Sequence, residues 1–260
     1  MGAVERLGKR TIDRFRSLSY GLGFVVEVGR QTGRFIAGRR VGRKALTMQI
    51  LFTGVDALTV IATISVGIGA VIVIQGLSVL PQFGQGQLIF SILIIVITRE
   101  LGPILTALII AARSGTAIAT ELGNMVISHE VEAYTVTGVN PIQYLAVPRF
   151  IGVTFSTFLL NLYFNIFGLF GSFIVTQLVN PIGLQEYFNG LLGTIQIDDV
   201  ISSVVKSIVF GAIIALVATF HGFAVERSST EVPVAAIRSV GQSIMLLILA
   251  NAVITLIYYV

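Results

Sequence analysis

Hydrophobic residues gather in five long stretches after Lys44, separated by short polar or turn-forming segments. The stretches cover roughly 50–80, 88–112, 150–180, 200–223 and 241–260. A helix needs ~20 apolar residues to cross a bilayer, so each stretch is long enough for one membrane span. The pattern predicts an all-α polytopic membrane protein, with a five-helix transmembrane domain over 50–260.

Residues 1–49 follow a different pattern, in which mostly apolar residues recur every three or four positions and Arg and Lys lie between them. Those positions are Leu7, Thr11, Phe15, Leu18, Leu22 and Val25. This spacing is typical of a basic amphipathic helix that lies on an anionic membrane surface. The alternative is a nucleic-acid-binding arm, but a membrane span follows at once, so we expect no nucleic acid partner.

Composition supports the membrane assignment, because 55% of the residues are hydrophobic and only 12% are charged. A soluble domain carries ~25% charged residues, so an ordinary soluble enzyme is excluded. The chain has no cysteine, which rules out a disulfide framework and a thiol nucleophile.

The distribution of Lys and Arg predicts the orientation of the chain. Eleven of the 17 cations lie in 1–49, and 113–149 and 224–240 contain two each. The segments 81–87 and 181–199 contain none. Positive charge accumulates in cytoplasmic loops, so we expect the N-terminus in the cytoplasm and the C-terminus on the far side.

Arg99 and Glu100 interrupt the second stretch ~16 Å from its start, at 1.5 Å per residue. A charge at that depth is costly unless it is paired or hydrated. Neighbouring helical residues do not face one another, so we do not expect the two to neutralise each other. Pro103 cannot donate to the carbonyl of Arg99, and Gly102 loosens the same turn, which predicts a kink. Two interpretations stay open: a structural ion pair with another helix, for example with Asp56, or the polar wall of a transport cavity.

Two more polar residues fall within apolar stretches. Lys206 lies a few residues inside the fourth stretch, where we expect its side chain to extend to the outer interface near Asp198 and Asp199. Gln75 is polar without charge, and it either joins two helices or lines a cavity.

The segment 113–149 is too long for a simple connector, and its helical part carries acidic and apolar residues. We expect a helix over 119–137 that docks into a cleft of a soluble partner; the alternative is a solvated amphipathic connector. The residues predicted to couple to that partner are Glu121, Glu130, Glu132, Gly138 and Pro141.

Motifs of catalysis are missing from the sequence. It contains no P-loop, no H-E-x-x-H and no G-x-S-x-G elbow, and no set of metal ligands stands out. We therefore expect a non-enzymatic chain that binds no cofactor or metal itself.

The stretch 99–149 resembles the MlaE/YrbE family of ABC permeases, and the likeness extends over roughly 50–225. The positions that match are Glu100, Leu101, Gly102, Pro103, Thr106, Ala107, Arg113, Gly115, Ala117, Glu121, Leu122, Gly123, Met125, Pro141, Pro148 and Arg149. The chain departs from the family pattern at Asn140 and Asn251, where acidic residues are usual or frequent.

The resemblance implies a multi-pass permease subunit that moves phospholipids between a bacterial inner membrane and the outer envelope. It also implies a cytoplasmic ATPase that uses ATP and Mg²⁺, a periplasmic MCE-domain lipid-binding protein and often a STAS-domain protein. Because five spans make a thin wall, we expect a homodimer with a cavity lined by spans one, two and five. The predicted lipid-contacting residues are Arg99, Glu100, Gln75, Val73, Leu77 and Leu80. A small-solute ABC importer permease and a passive channel or scaffold are the alternatives.

Overall fold

The computed structural model describes five ranges of the chain, and the regular structure within them is helical. These ranges are 20–35, 43–83, 88–179, 181–226 and 228–259. The expected amphipathic positions at Leu7, Thr11, Phe15 and Leu18 lie outside the described residues. Helix α1 covers 20–35, and Leu22 and Val25 are exposed on it.

The remaining helices follow in chain order. They are α2 (Arg43–Gly54), α3 (Leu58–Val79), α4 (Leu88–Leu93), α5 (Gly102–Ile110), α6 (Thr116–Ile127), α7 (Glu130–Val136), α8 (Val147–Val179), α9 (Leu184–Thr194), α10 (Ile197–Phe223) and α11 (Glu231–Tyr259). Short 3-10 turns at Val55–Ala57 and Leu80–Phe83 follow α2 and α3. π-Helical segments at Ile94–Leu101, Ala111–Gly115 and Ile142–Ala146 join their neighbours without a break.

Five of the resulting helical units are long and apolar enough to cross a membrane, which confirms the polytopic all-α prediction. Spans one to five are Lys44–Val79, Leu88–Ile127, Ile142–Val179, Ile197–Phe223 and Glu231–Tyr258. Span two has 40 residues, about 60 Å at 1.5 Å per residue, so it is roughly twice as long as the ~30 Å hydrocarbon core is thick.

The helices run further than the apolar stretches indicated. The connector expected over 113–149 is helical except near residues 128–129 and 137–140. Residues beyond the membrane stay helical because they pack on other spans: Leu122 is fully buried, and a methyl group on Gly222 would overlap it. The single helix expected over 119–137 is wrong, since α6 ends at Ile127 and α7 starts separately.

Span four (α10) is the centre of the bundle, and it contacts α5, α6, α8 and α11. Its buried side chains include many small ones, such as Ser202, Ser203 and Ser207. Gly211 lies against the backbone of Thr154 on α8, where a methyl group would not fit. Small residues permit the close approach that holds membrane helices together.

Span one packs on span three in the same way. On α3, Gly69 lies against the backbone of Gly168 and Ser172 on α8, and Gly171 lies against Val66. Span five contrasts with this arrangement, because α11 keeps a long row of exposed apolar side chains. They are Ile237, Met245, Ile248, Leu249, Val253, Leu256 and Ile257.

The bundle has two ends, which we name after the short helix at each. The α7 end also contains the start of span one and residues 224–226 and 228–230. The α9 end contains residues 80–83 and 181–196. Phe24 of α1 packs edge-to-face on Phe220 and Phe223, at ring-centroid distances of 5.8 and 6.2 Å. Helix α1 therefore belongs to the α7 end.

The Gly69 contact predicts the effect of one methyl group. Gly69→Ala would force α3 and α8 apart, and we expect it to lower stability by roughly 1–3 kcal/mol, as overpacking does. Gly67→Ala is the matched control, because nothing lies within 4 Å of the new methyl group. Alanine is the better helix former, so Gly67→Ala should keep or raise stability. Thermal unfolding of both purified variants in detergent checks this, and equal midpoints would contradict the packing.

Candidate functional site

Glu100 and Lys206 form an ion pair inside the membrane-spanning bundle. The Nζ atom of Lys206 lies 2.9 Å from Oε2 of Glu100, and the lysine side chain has no exposed surface. Lys206 was expected to extend to the outer interface near Asp198 and Asp199, and that prediction was wrong. Pairing with the partly buried carboxylate of Glu100 lowers the cost of a charge inside the membrane. Extension to the surface would have lowered the same cost by hydration.

Lys206 makes a second bond that compensates for Pro103. Its Nζ donates to the carbonyl oxygen of Arg99 at 3.0 Å, the oxygen that Pro103 cannot serve because it has no N–H. The turn before the proline is π-helical, and the N–H of Gly102 reaches back five residues to Ile97. One lysine therefore satisfies both a partly buried carboxylate and a backbone carbonyl.

Arg99 lies beside Glu100, with its Nε atom 3.6 Å from Oε1 of the carboxylate. The two neighbours were not expected to neutralise each other, and Lys206 lies closer to the carboxylate than Arg99 does. The long arginine side chain nevertheless brings its Nε atom within ion-pair distance of Glu100. The suggested pair with Asp56 was wrong, because Asp56 binds Arg113 at 3.0 Å near the α7 end. Arg99 and Glu100 keep 20% and 31% of their side-chain surface exposed, so both are partly accessible.

Span five completes the surroundings of Glu100. Nδ2 of Asn251 donates to Oε2 at 3.3 Å, and Oγ1 of Thr255 donates to Oε1 at 3.4 Å. The sequence did not indicate these contacts, although the i, i+4 spacing of two polar residues on an apolar span is a signal that could have revealed them. We name Arg99, Glu100, Lys206, Asn251 and Thr255 the intramembrane polar cluster.

Span three adds two amides next to this cluster. Nδ2 of Asn161 donates to Oγ of Ser203 on α10 at 2.9 Å. The side-chain oxygens of Asn161 and Asn165 lie against Gly102, where a methyl group would overlap them. The close approach at Gly102 thus brings spans two, three and four together beside the ion pair.

The other residues predicted to contact lipid are distributed differently. Gln75 is exposed on α3, and Leu77 and Leu80 are partly buried against the core. Val73 is fully buried, so within one protomer it contributes to packing and presents no surface to a ligand.

At the α7 end, a sharp turn sets the direction of α7. His129 adopts the left-handed conformation with φ of 60°, and its Nδ1 lies 2.9 Å from Oε2 of Glu132. Oγ of Ser128 donates to Oε1 of Glu130 at 3.1 Å. Glu130 and Glu132, which were predicted to couple to a partner, are both exposed. They lie in the first turn of α7, where a carboxylate interacts favourably with the helix dipole.

The C-terminal side of α7 is closed by a second turn. Gly138 has φ of +81°, a conformation that glycine adopts without strain. Asn140 caps the helix that follows, because its Oδ1 accepts the N–H of Ile142 at 2.9 Å. An asparagine therefore supplies the acceptor here, and Pro141 takes the first helical position next to it.

Glu121 was predicted to couple to a partner, and the structure gives it an internal contact. Its Oε1 accepts from Nη2 of Arg149 at 2.9 Å, and Nη1 of Arg149 donates to the carbonyl of Leu145 at 2.8 Å. The pair ties α6 to the start of span three.

Five membrane spans around a charged cluster, with a short acidic helix at one end, define a polytopic membrane protein with an internal polar site. Comparison of sequences narrows this class. The family described as "Permease MlaE" matches residues 46–257, and the chain belongs to this family.

Individual relatives agree with the family. The chain is 31% identical to a probable ABC transporter permease of Rickettsia typhi over 207 residues, which is 80% of each chain. It is 24% identical over 264 residues to the intermembrane phospholipid transport system permease protein MlaE of Haemophilus influenzae, covering 98% of this chain and 97% of the relative. The Arabidopsis thaliana chloroplast protein TRIGALACTOSYLDIACYLGLYCEROL 1 is 30% identical over 202 residues, 78% of this chain and 57% of the relative.

The buried ion pair predicts a strong coupling between its two partners. Lys206→Met should cost ~3 kcal/mol, because it leaves a carboxylate without its closest cation. Glu100→Gln combined with Lys206→Met should cost less than the sum of the single changes. The double-mutant cycle is measured by unfolding of the purified protein.

The exposed pair of His129 and Glu132 provides the control cycle. Both side chains are more than two-thirds exposed, so the coupling between His129→Gln and Glu132→Gln should be close to zero. Additive effects at Lys206 and Glu100 would contradict the buried pair.

Proposed function

We propose that this chain is the membrane subunit of an ATP-driven transporter that moves phospholipids between a bacterial inner membrane and the outer envelope. The observation that carries the proposal is the intramembrane polar cluster, which is charged, lies within apolar spans and keeps Arg99 and Glu100 partly exposed. A site of this kind suits an amphipathic substrate, since a head group can bind the charges while acyl chains remain among apolar residues.

The printed name of the Haemophilus influenzae relative supports the same substrate class. Phospholipid carries a phosphodiester anion, and the planar guanidinium of an arginine binds such groups with two parallel hydrogen bonds. Arg99 is the residue we assign to this contact, with Gln75, Leu77 and Leu80 as further contacts toward the α9 end.

Charge supports an orientation with the α7 end in the cytoplasm. The cations Lys44, Arg113, Arg149 and Arg238 lie at the α7 end, and the acids Glu186, Asp198 and Asp199 lie at the α9 end. Positive charge accumulates on the cytoplasmic side of membrane proteins. In this orientation the N-terminus is cytoplasmic and the C-terminus periplasmic.

Helix α7 is the element we assign to the ATPase. It projects two exposed carboxylates, Glu130 and Glu132, beside the exposed apolar residues Val136 and Val139. A short helix with acidic and apolar positions fits a groove of a soluble partner. The ATPase would bind ATP and Mg²⁺, because this chain has no P-loop.

A second copy of the chain completes the cavity in this proposal. Gln75 is exposed on a helix whose other polar side chains are the small hydroxyl groups of Thr and Ser. A strongly polar side chain within a membrane usually faces protein or a water-filled cavity. The exposed apolar faces of spans one and five offer the surface for a two-fold symmetric contact. A periplasmic MCE-domain protein, and in some complexes a STAS-domain protein, would complete the assembly.

Transport would follow from a cavity that binds lipid differently in two states. Closure of the ATPase dimer moves α7, and the movement changes the space around the polar cluster. A ligand shifts such an equilibrium only by its difference in affinity for the two states, so ATP supplies the free energy that expels a bound lipid.

Reversing the charge of α7 should weaken the contact with the ATPase. We expect Glu130→Lys with Glu132→Lys to reduce co-purification of the ATPase at least about tenfold, since repulsion replaces attraction across the interface. Glu186→Lys is the control, because Glu186 is exposed at the α9 end. Full recovery of the complex with the α7 variant would refute the docking assignment.

Removing the guanidinium of Arg99 should reduce the lipid that stays bound. We expect Arg99→Ala to lower phospholipid cross-linked from a photoreactive probe about tenfold, the equivalent of one charge-assisted contact. Arg238→Ala removes an exposed cation at the α7 end and should leave cross-linking unchanged. An Arg99→Ala protein that cross-links as much lipid as the wild type would assign Arg99 a structural role.

A further inference from the structure

We propose that the intramembrane polar cluster carries an excess positive charge and therefore selects phospholipids whose head group is net anionic over zwitterionic ones. The inference rests on the proposed lipid transport and specifies its substrate class. It follows from the way in which the three charged side chains of the cluster are arranged.

Lys206 and Glu100 neutralise one another. Their charged atoms are 2.9 Å apart, and the lysine is fully buried. Besides Lys206, Glu100 receives hydrogen bonds from the neutral donors Asn251 and Thr255. The oxygens of its carboxylate are thus surrounded by hydrogen-bond donors.

Arg99 adds a second cation to a cluster that has a single acid. With Arg99 and Lys206 positive and Glu100 negative, the three side chains carry a net charge of +1. The excess charge is also the accessible one, since Arg99 is partly exposed whereas Lys206 is not. In the sequence, Glu100 is the only Asp or Glu in the apolar parts of spans one, two, four and five, which are 57–120, 200–223 and 232–260.

Asn251 keeps this charge from being cancelled. Its position is within hydrogen-bond distance of Glu100, so an acid there would lie in the same cluster and bring the net charge to zero. The carboxylate of Glu100 requires a donor from residue 251, which orients the amide with Nδ2 toward it. Asn251 is therefore a specificity-determining residue in this proposal, although it acts through the charge balance of the cluster.

The repulsion between the excess cation and a zwitterionic head group should be large enough to measure. Phosphatidylglycerol and phosphatidylethanolamine share the phosphodiester, but only the latter carries an ammonium group that an excess cation repels. Like charges a few ångströms apart repel one another, and the repulsion is several times stronger near a protein surface than in water. We expect a preference of at least about fivefold, which corresponds to ~1 kcal/mol.

The test uses the full chain in nanodiscs with equal amounts of photoreactive phosphatidylglycerol and phosphatidylethanolamine that carry identical acyl chains. Adducts are mapped by mass spectrometry to peptides of spans two, four and five, which separates the cluster from lipids around the protein. The wild type should favour phosphatidylglycerol, and both Arg99→Gln and Asn251→Asp should bring the ratio close to one. Arg238→Gln, which loses the same charge at the α7 end, should keep the wild-type ratio.

The outcomes separate this inference from the proposed function. Wild-type adducts in a ratio near one would overturn the head-group selectivity and leave lipid binding intact. A wild-type ratio retained in Arg99→Gln or Asn251→Asp, or lost in Arg238→Gln, would also overturn it. The absence of lipid adducts from these spans in the wild type would overturn the proposed lipid transport itself.

Discussion

Lys206 and Glu100 meet inside the membrane, and the arrangement of spans two, four and five depends on this ion pair. A charge within a bilayer costs several kcal/mol without a partner, so separating span four from span two would expose two such charges. Asn251 and Thr255 add span five to the same carboxylate. The most apolar part of span five has a smaller buried share than that of any other span, so these polar contacts are a larger part of its packing there.

The backbone near the pair is as important as the charges. Pro103 leaves the carbonyl of Arg99 without its helical donor, and the ammonium of Lys206 supplies the missing hydrogen bond. An unsatisfied carbonyl is costly in a membrane because no water is available. The hydrogen bond that Pro103 removes and the buried lysine are thus mutually dependent, and either alone would be unfavourable.

The sequence allowed the number and approximate position of the spans to be predicted, because apolar length is set by bilayer thickness. It also indicated Arg99 and Glu100, since charges stand out in an apolar stretch. The spacing of Asn251 and Thr255 marks a polar face on span five, but the residues that this face meets could not be predicted. Lys206 and Thr255 reach Glu100 only through the rotation and packing of separate helices. The ends of the spans were missed for a similar reason, as α6 continues where tertiary contacts with span four replace lipid.

Span two connects the two regions to which function is assigned. It runs from Leu88 to Ile127 without a break in helical structure, with the polar cluster in its first half and α7 directly after its end. Its far part is held to span four where Leu122 packs at Gly222, so a displacement of α7 acts on both spans that carry the ion pair. Two π-helical segments lie along this path, and such turns are frequent at functional sites. In the proposed transporter, the same helix that receives force from the ATPase thus carries the charges that hold the lipid.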